Sequence, residues 1–402
     1  MLDTIYRNKK VLITGHTGFK GSWLALWLLK LGAKVAGYSA YTPSVPANFD
    51  VCELSDKLHH IEGDVRDAVQ LAEAFATFQP DYVFHLAAQP IVRTAYELPK
   101  LTFDTNVGGT VNLLEAIRRT ESVQAAVLIT SDKCYENVEW EYGYREDDRL
   151  GGKDPYSASK AAAEIAISTY ARSFFGKKAF SETESPCLIA SARAGNVIGG
   201  GDWARDRIVP DCVRAWANDE TPDIRSPHAT RPWQHVMEPL SGYLCLMAAL
   251  AEERAGRLNL RDESLHGKSF NFGPSESVNE SVGELVTAMG QIWDNKTWNN
   301  CSDPATIQKE AGLLKLNCDR ARYFLDWEAT LSMDEAIEMT TRWYMAYYGG
   351  VQNMYDYTQN QLEQYEALSA QRNQSLRYHE AGTESPCPPH NMLQPERPEI
   401  KV

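Results

Sequence analysis

Short runs of consecutive apolar β-formers alternate, through the first half of the chain, with longer stretches of helix-forming composition. Val11-Leu12-Ile13 is one such run, followed from Ser22 by Trp23-Leu24-Ala25-Leu26-Trp27-Leu28-Leu29 and a stop at Gly32. An apolar run without polar alternation is expected of a strand buried on both faces, and Gly is a common helix end. The pattern predicts further strands at 34–38, 61–67, 81–89 and 125–130, with a helix around Asn106–Leu114. Strand and helix in alternation predict an α/β fold with a doubly wound parallel sheet, whose ligands sit at the carboxyl ends of the strands. Beyond Arg193 the pattern changes to longer loops and short helices, and two tyrosine-rich helical stretches follow, 334–348 and 354–368.

Gly15-His16-Thr17-Gly18-Phe19-Lys20-Gly21 joins the first strand to the first helix, with glycine at every third position. Lacking Cβ atoms, these glycines let the backbone turn tightly and let a pyrophosphate approach the amides at a helix N-terminus. The sheet is therefore expected to be Rossmann-type, and Gly15, Thr17, Gly18, Phe19 and Gly21 are candidate cofactor-binding residues. His16 and Lys20 flank the pyrophosphate position, where Lys20 would add attraction. The second strand closes on Tyr38-Ser39. It carries neither an acid for the NAD ribose nor an Arg for the extra phosphate of NADP, so this strand leaves the choice between the two open. Asp64 is placed to accept from an adenine amine or to be a solvated turn carboxylate. Ala87 and Ala88, at the end of a buried strand, are small enough for close cofactor approach, whereas His85 within the apolar run reads as a satisfied core histidine.

Ser131-Asp132-Lys133 stands at the end of the fifth strand, where side chains face the ligand. In Tyr156-Ser157-Ala158-Ser159-Lys160 the Tyr and Lys lie one helical turn apart on one face. A tyrosine with a pKa of about 10 is a poor base at neutral pH, and a nearby ammonium favours its phenolate. The pair suits proton transfer.

The glycine spacing, the strand-end Ser131 and Tyr156-x-x-x-Lys160 resemble the extended branch of the short-chain dehydrogenase/reductase family, in particular its nucleotide-sugar 4,6-dehydratases. Where relatives carry Asp-Glu, this chain has Asp132-Lys133, a departure that resembles the dehydratases acting on CDP-glucose. The block Arg193-Ala194-Gly195-Asn196-Val197-Ile198 and the run Arg231-Pro232-Trp233-Gln234-His235-Val236 are similar to that group too. The resemblance implies NAD as cofactor, with Val65, Leu86, Tyr156 and Lys160 joining the glycine loop, Asp64, Ala87 and Ala88 around it. It implies internal redox: Tyr156 takes the 4-hydroxyl proton with Ser131 on that oxygen, Asp132 in its acid form protonates the departing 6-hydroxyl, and Lys133 serves as the C5 base or stabilises the enolate. Asp132 is expected to have a raised pKa from burial, opposed by Lys133. Arg207 and Arg231 are the candidates for the diphosphate, because the guanidinium fork suits its oxygens, with Asn196 and Asn271 completing the substrate set. Trp203 and Trp233 either flank a base or pack. Family members pair through helices, which implies a homodimer or homotetramer. The expected segmentation is 1–193 for NAD binding, 194–350 for a smaller mixed substrate lobe interleaved with it, 351–370 for a C-terminal helix, and 371–402 for a disordered tail rich in Gln, Ser, Glu and Pro.

Composition narrows the alternatives. The 402 residues carry a net charge of −14, which argues against a nucleic-acid-coating surface and requires local cations for any anionic substrate. The eight cysteines form no Cys-x-x-Cys pair, so neither a metal site nor a disulfide framework is expected. No apolar run approaches the roughly 20 residues needed to span a bilayer, and no export signal is evident at the N-terminus. The expected compartment is the cytoplasm, with no membrane partner.

Overall fold

The computed structural model describes residues 2–176, 186–258, 263–274, 280–302 and 314–372. From residue 373 on, the expected tail lies outside the described residues. Seven parallel strands form the central sheet: β1 (Lys10–Thr14), β2 (Lys34–Ser39), β3 (His59–Glu62), β4 (Tyr82–His85), β5 (Ala125–Ile129), β6 (Leu188–Ala194) and a seventh strand, Ser269–Phe272. Their spatial order is Ser269–Phe272, β6, β5, β4, β1, β2, β3. The order reverses between β1 and β4, so the carboxyl ends of those two strands flank a crevice. β1, β4 and β5 are buried on both faces, as their unbroken apolar runs require.

Helix Phe19–Lys30 covers one face of the sheet with Trp23, Leu24 and Trp27 fully buried. Helices Ala68–Phe78, Gly109–Arg118 and Pro155–Phe174 build the second core on the other face, around Leu71, Leu113 and Ile167. The helix expected around Asn106 contains a π-turn, Asp104–Gly108, between Pro99–Phe103 and Gly109–Arg118. Within it the buried Asn106 amide bonds the Gln89 carbonyl (3.1 Å) and the Ser159 hydroxyl (2.9 Å), while its oxygen accepts the Gln89 N–H (2.8 Å). That turn thus locks the segment after β4 to the Tyr156 helix.

The second half does not stay apart from the first. Helix Met237–Arg254 is buried along nearly its whole length beneath β5 and β6, and Ser269–Phe272 completes the sheet beside β6. Between and after these pieces lies a smaller set of elements: helices Ile208–Ala217 and Val282–Ile292, with the two-residue strands Asp223–Ile224, Thr230–Arg231, Glu280–Ser281 and Asn299–Asn300. The last helix, Met354–Gln371, returns to the first: Trp27 Nε1 donates to Glu366 at 2.8 Å and Lys30 pairs with the same carboxylate at 2.8 Å. Among the described residues no helix is long and apolar enough to cross a membrane.

Candidate active site

At the carboxyl end of β1 the backbone turns through Gly15, whose φ of +77° strains any residue with a side chain, and whose missing Cβ would stand 2.7 Å from Ala87 N. A Cβ on Gly21 would lie 2.1 Å from the Gly15 carbonyl oxygen, so the loop and the first helical turn are in contact. Gly18 is the N-cap and supplies no side-chain cap. The first-turn amides therefore have no side-chain acceptor of their own, and the chemistry of this cradle fits a pyrophosphate. Leu86 and Ala87 line the crevice beside it as extensions of β4, with Leu86 N bonded to the Thr14 carbonyl at 3.0 Å. Ala88, half-buried, follows them. Val65 is buried against Gly109, and Phe19 opens the helix.

One expectation around this loop is corrected. His16 does not face the pyrophosphate position: it is fully buried beneath the loop, with Nδ1 2.9 Å from Ser39 Oγ and Nε2 2.7 Å from His60 Nδ1. Gly37 makes room for its ring, and burial pushes its pKa down to about 3. Thr17 spends its hydroxyl on the Tyr41 carbonyl at 2.7 Å, fixing the loop after β2. Asp64 lines a surface pocket with Arg66, Asp67 and Ala68; both its oxygens accept from Arg66 Nε, at 3.0 and 2.9 Å, which keeps the carboxyl below its usual range. His85 is the core histidine expected of its apolar run, bridging Thr14 and Thr110 hydroxyls at 2.7 and 3.1 Å.

β5 ends at Ile129, and Ser131 caps a single 3₁₀ turn, Asp132–Cys134. The Ser131 hydroxyl lies 2.9 Å from Asp132 Oδ1, accepts the Lys133 N–H at 3.2 Å, and is also hydrogen-bonded with the Tyr156 hydroxyl. Asp132 is 5% exposed, and burial raises its pKa against the opposing pull of Lys133, Ser131 and Lys20, as expected of a carboxyl that must hold a proton. Gly195 backs it: a Cβ there would fall 3.0 Å from Asp132 Oδ2. Asp154 caps the following helix and Pro155 opens it, which sets Tyr156 in the first turn, facing Ser131. Burial pushes the Tyr156 phenol up to about 12, with Ser131 the leading favourable influence on the phenolate. Lys160, buried one turn on, has its Nζ 3.5 Å from the Ile129 carbonyl and its pKa pushed down to about 8 by burial.

A further turn along that face stands Glu164, absent from the sequence-derived set although its i+4 spacing from Lys160 was legible. It forms a fully buried ion pair with Arg193 at 2.8 Å and accepts from the Thr130 and Ser191 hydroxyls. Arg193 in turn donates to Tyr135 Oη at 2.8 Å and the Glu146 carbonyl at 2.9 Å. This network ties the Ser131–Tyr135 turn and the loop after it to the sheet.

Of the substrate candidates, Arg207 reaches the centre: it pairs with Asp202 at 2.6 Å and lies within electrostatic range of Tyr156. Asn196 follows β6, and its carbonyl accepts the Gln234 N–H at 3.2 Å. Arg231 sits in the short ladder with Glu280–Ser281 and donates to the Thr230 carbonyl at 2.8 Å. Asn271 is not a substrate ligand in this geometry: it is fully buried, accepts from Tyr135 at 2.7 Å, and donates to the Tyr144 and Asn317 carbonyls at 2.8 and 3.0 Å. Trp203 is 2% exposed among Trp343, Tyr344 and Tyr347 and so packs, while Trp233 is buried with its indole N–H unbonded and lines a small pocket with Gln234 and Pro274.

Residues 12–340 match the family model described as GDP-mannose 4,6 dehydratase. The chain belongs to that family. Within it, the chain is 43% identical over 352 residues to a Salmonella typhimurium protein named CDP-glucose 4,6-dehydratase, covering 87% of this chain and 94% of that one. It is 28% identical over 361 residues to a probable dTDP-glucose 4,6-dehydratase of Sinorhizobium fredii, covering 84% and 93%. Among solved structures, a Bacillus anthracis dTDP-glucose 4,6-dehydratase in complex with NAD superposes with a TM-score of 0.66 at 19% identity, covering 84% of this chain and 96% of that one. A Stenotrophomonas maltophila UDP-glucose 4-epimerase superposes with a TM-score of 0.70 at 20% identity, covering 86% and 100%. At such identities the superpositions speak to the dehydratase family's fold.

Proposed function

We propose that the protein converts CDP-glucose to CDP-4-keto-6-deoxyglucose and water, with NAD held in the crevice between β1 and β4. The observation that carries this reading is the convergence of the buried Ser131, Asp132, Tyr156 and Lys160 at the carboxyl end of β5, with Lys133 half-buried in the same turn. The 43% identity to a protein named for the CDP-sugar reaction supports the choice of nucleotide.

The cradle of Gly15, Gly18 and Gly21 with the first helical turn would hold the pyrophosphate, and Leu86, Ala87 and Ala88 would leave room for the nicotinamide. NAD when bound supplies an electron acceptor for the C4 oxidation and returns the electrons at C6. The protein's own groups move the protons. Tyr156, as phenolate, takes the 4-hydroxyl proton, with Ser131 hydrogen-bonded to the same oxygen. Burial holds the free Tyr156 up to about 12, and the Ser131 hydroxyl and the Arg207 charge are the groups that favour its phenolate, with Lys160 one helical turn away. The C4 ketone acidifies C5; Lys133 removes that proton and Asp132, protonated because it is buried, gives its own to the departing 6-oxygen. Arg207 and Arg231, with Asn196, would hold the diphosphate, and residues 199–236 and 280–302 would form the substrate lobe. Helices Val92–Glu97, Pro99–Phe103 and Pro155–Phe174, with Leu98 between the first two, expose the apolar Tyr96, Leu98, Phe103 and Ile165, which suits a homodimer or homotetramer. A nucleotide sugar and NAD fit a cytoplasmic enzyme.

Incubation with NAD and each of CDP-, UDP-, dTDP- and GDP-glucose tests the reading. CDP-glucose is expected to lose the mass of one water and gain a keto group. An isomerised sugar of unchanged mass would indicate epimerisation, and no product from any of the four would indicate a cofactor-sensing protein.

A further inference from the structure

Next to the segment that carries Arg231 lies a small cavity lined by polar groups without partners. Trp233, Gln234 and His235 are 8, 2 and 0% exposed, and all three line it together with Glu238. Among the described residues, Trp233 Nε1, Gln234 Oε1 and His235 Nε2 meet no hydrogen-bonding group. A buried polar atom in that state is costly, and three of them on consecutive residues around one cavity call for a common partner.

The donors and acceptors say what that partner is. The Met237 N–H donates to His235 Nδ1 at 3.3 Å, and burial pushes the His235 pKa down to about 3, so the ring is neutral with its proton on Nε2. The Gln234 amide nitrogen donates to the Phe272 carbonyl at 3.0 Å, which leaves Oε1 as the free acceptor. The cavity therefore offers two N–H donors and one carbonyl acceptor. An ammonium cannot accept from the N–H groups, and an anion cannot donate to the carbonyl. Water does both, and its second proton can go to the Glu238 carboxylate in the same wall. Size agrees: counted at water centres the cavity measures about 10 Å³, room for one molecule, and its other walls include the apolar Leu331 and Ala336.

Its place gives the site a consequence. Gln234–His235 pairs in parallel with Val197–Ile198, and the Gln234 N–H donates to the Asn196 carbonyl at 3.2 Å. The Trp233 N–H donates to the Arg231 carbonyl at 2.9 Å. Asn196 and Arg231, both candidates for the diphosphate, are thus held by the segment whose side chains line the cavity. We propose that the cavity binds one internal water bridging Trp233, Gln234 and His235, and that this water sets the spacing of Asn196 and Arg231. Its effect on substrate rests on the dehydratase reading; the water itself does not.

A crystal structure of the full-length protein should show one water within about 3.2 Å of Trp233 Nε1, Gln234 Oε1 and His235 Nε2. In solution, oxygen-17 relaxation dispersion should lose the contribution of one long-lived water in Ala336→Val, whose added methyl groups take the space. That variant is expected to raise KM for CDP-glucose about tenfold, with kcat and NAD affinity within about twofold of the parent. Ala336→Ser, smaller and polar, should keep KM within about threefold. No water at that point, the three atoms bonded to protein groups instead, or no long-lived water lost in Ala336→Val would overturn the proposal. Loss of the water with KM unchanged would overturn its role at the diphosphate. Should Ala336→Val not fold, the crystal structure of the parent decides. Should the parent leave CDP-glucose unchanged, the functional reading fails, while the crystal structure and the relaxation measurement still decide the water.

Discussion

Lys133 and Asp132 are adjacent in sequence but differ in what the fold does to them. Asp132 is buried and backed by the bare Cα of Gly195, while Lys133 is half-buried at the cleft. On the dehydratase reading, that division gives the acid role to the interior and leaves Lys133 to meet the C5 proton or to stabilise the enolate. Lys133→Met is expected to oxidise C4, seen as reduced-nicotinamide absorbance in a single turnover, and to stall before water leaves; normal turnover in that variant would remove Lys133 from the mechanism. Ser131, Asp132, Tyr156 and Lys160 could be picked from the chain because each belongs to a short motif whose spacing survives into three dimensions. Lys20 and His16 could not be placed, since neighbours in one loop face opposite ways and only the packing of Tyr243, or of Gly37 and His60, tells which. Asn271 was misread for a related reason: an Asn at a strand end looks the same whether it meets a ligand or three protein groups.

At the scale of elements, helix Pro155–Phe174 does two jobs along one stripe. Tyr156 and Lys160 face the cleft, and Glu164 anchors the same face to β6 through Arg193. Removing one partner leaves a charge buried without compensation, which costs about 3–5 kcal/mol. Glu164→Ala is therefore expected to lower stability by about that much in urea titrations. It should also lower kcat more than KM changes, because the Ser131–Tyr135 turn loses its tie to the sheet. Glu164→Gln, which keeps acceptor capacity, should recover part of both. The third strand lies at His59–Glu62 rather than 61–67. Strands β1, β2, β4 and β5 were legible, since β1, β4 and β5 are apolar without interruption, whereas β6 and the long helix Met237–Arg254 were not. The π-turn at Asp104–Gly108 was not, because it arises from the demand of the buried Asn106 for two partners on separate segments.

On the scale of the whole molecule, the C-terminal helix is tied to the core through Glu238, which is 1% exposed, accepts from Thr330 N and Leu331 N at 2.9 and 2.6 Å, and accepts from Tyr365 Oη at 2.9 Å. Burial raises its pKa from 4.5 to about 7. The folded protein thus holds this proton more tightly than the unfolded chain does. Its contribution to stability is fully present below about pH 4.5 and is lost as pH rises toward 7, a change of about 3 kcal/mol. Thermal unfolding between pH 5 and 8 should show this decline in the parent and a flatter profile in Glu238→Gln; parallel profiles would place the titration elsewhere.

The sheet's closing strand has one more consequence, which concerns the order in which the chain is made. β6 takes Ser269–Phe272 as its neighbour, and the Ser191 and Ser269 hydroxyls that meet across this ladder at 2.9 Å are 78 residues apart. A ribosome that has delivered β6 must therefore make the intervening segment before that edge can be covered. During this interval Ile189, Ala190 and Ala192 border an open ladder of unpaired backbone groups, the arrangement most prone to join another chain. For this edge the time of greatest exposure is thus the chain's own synthesis, until residues 269–272 have been made.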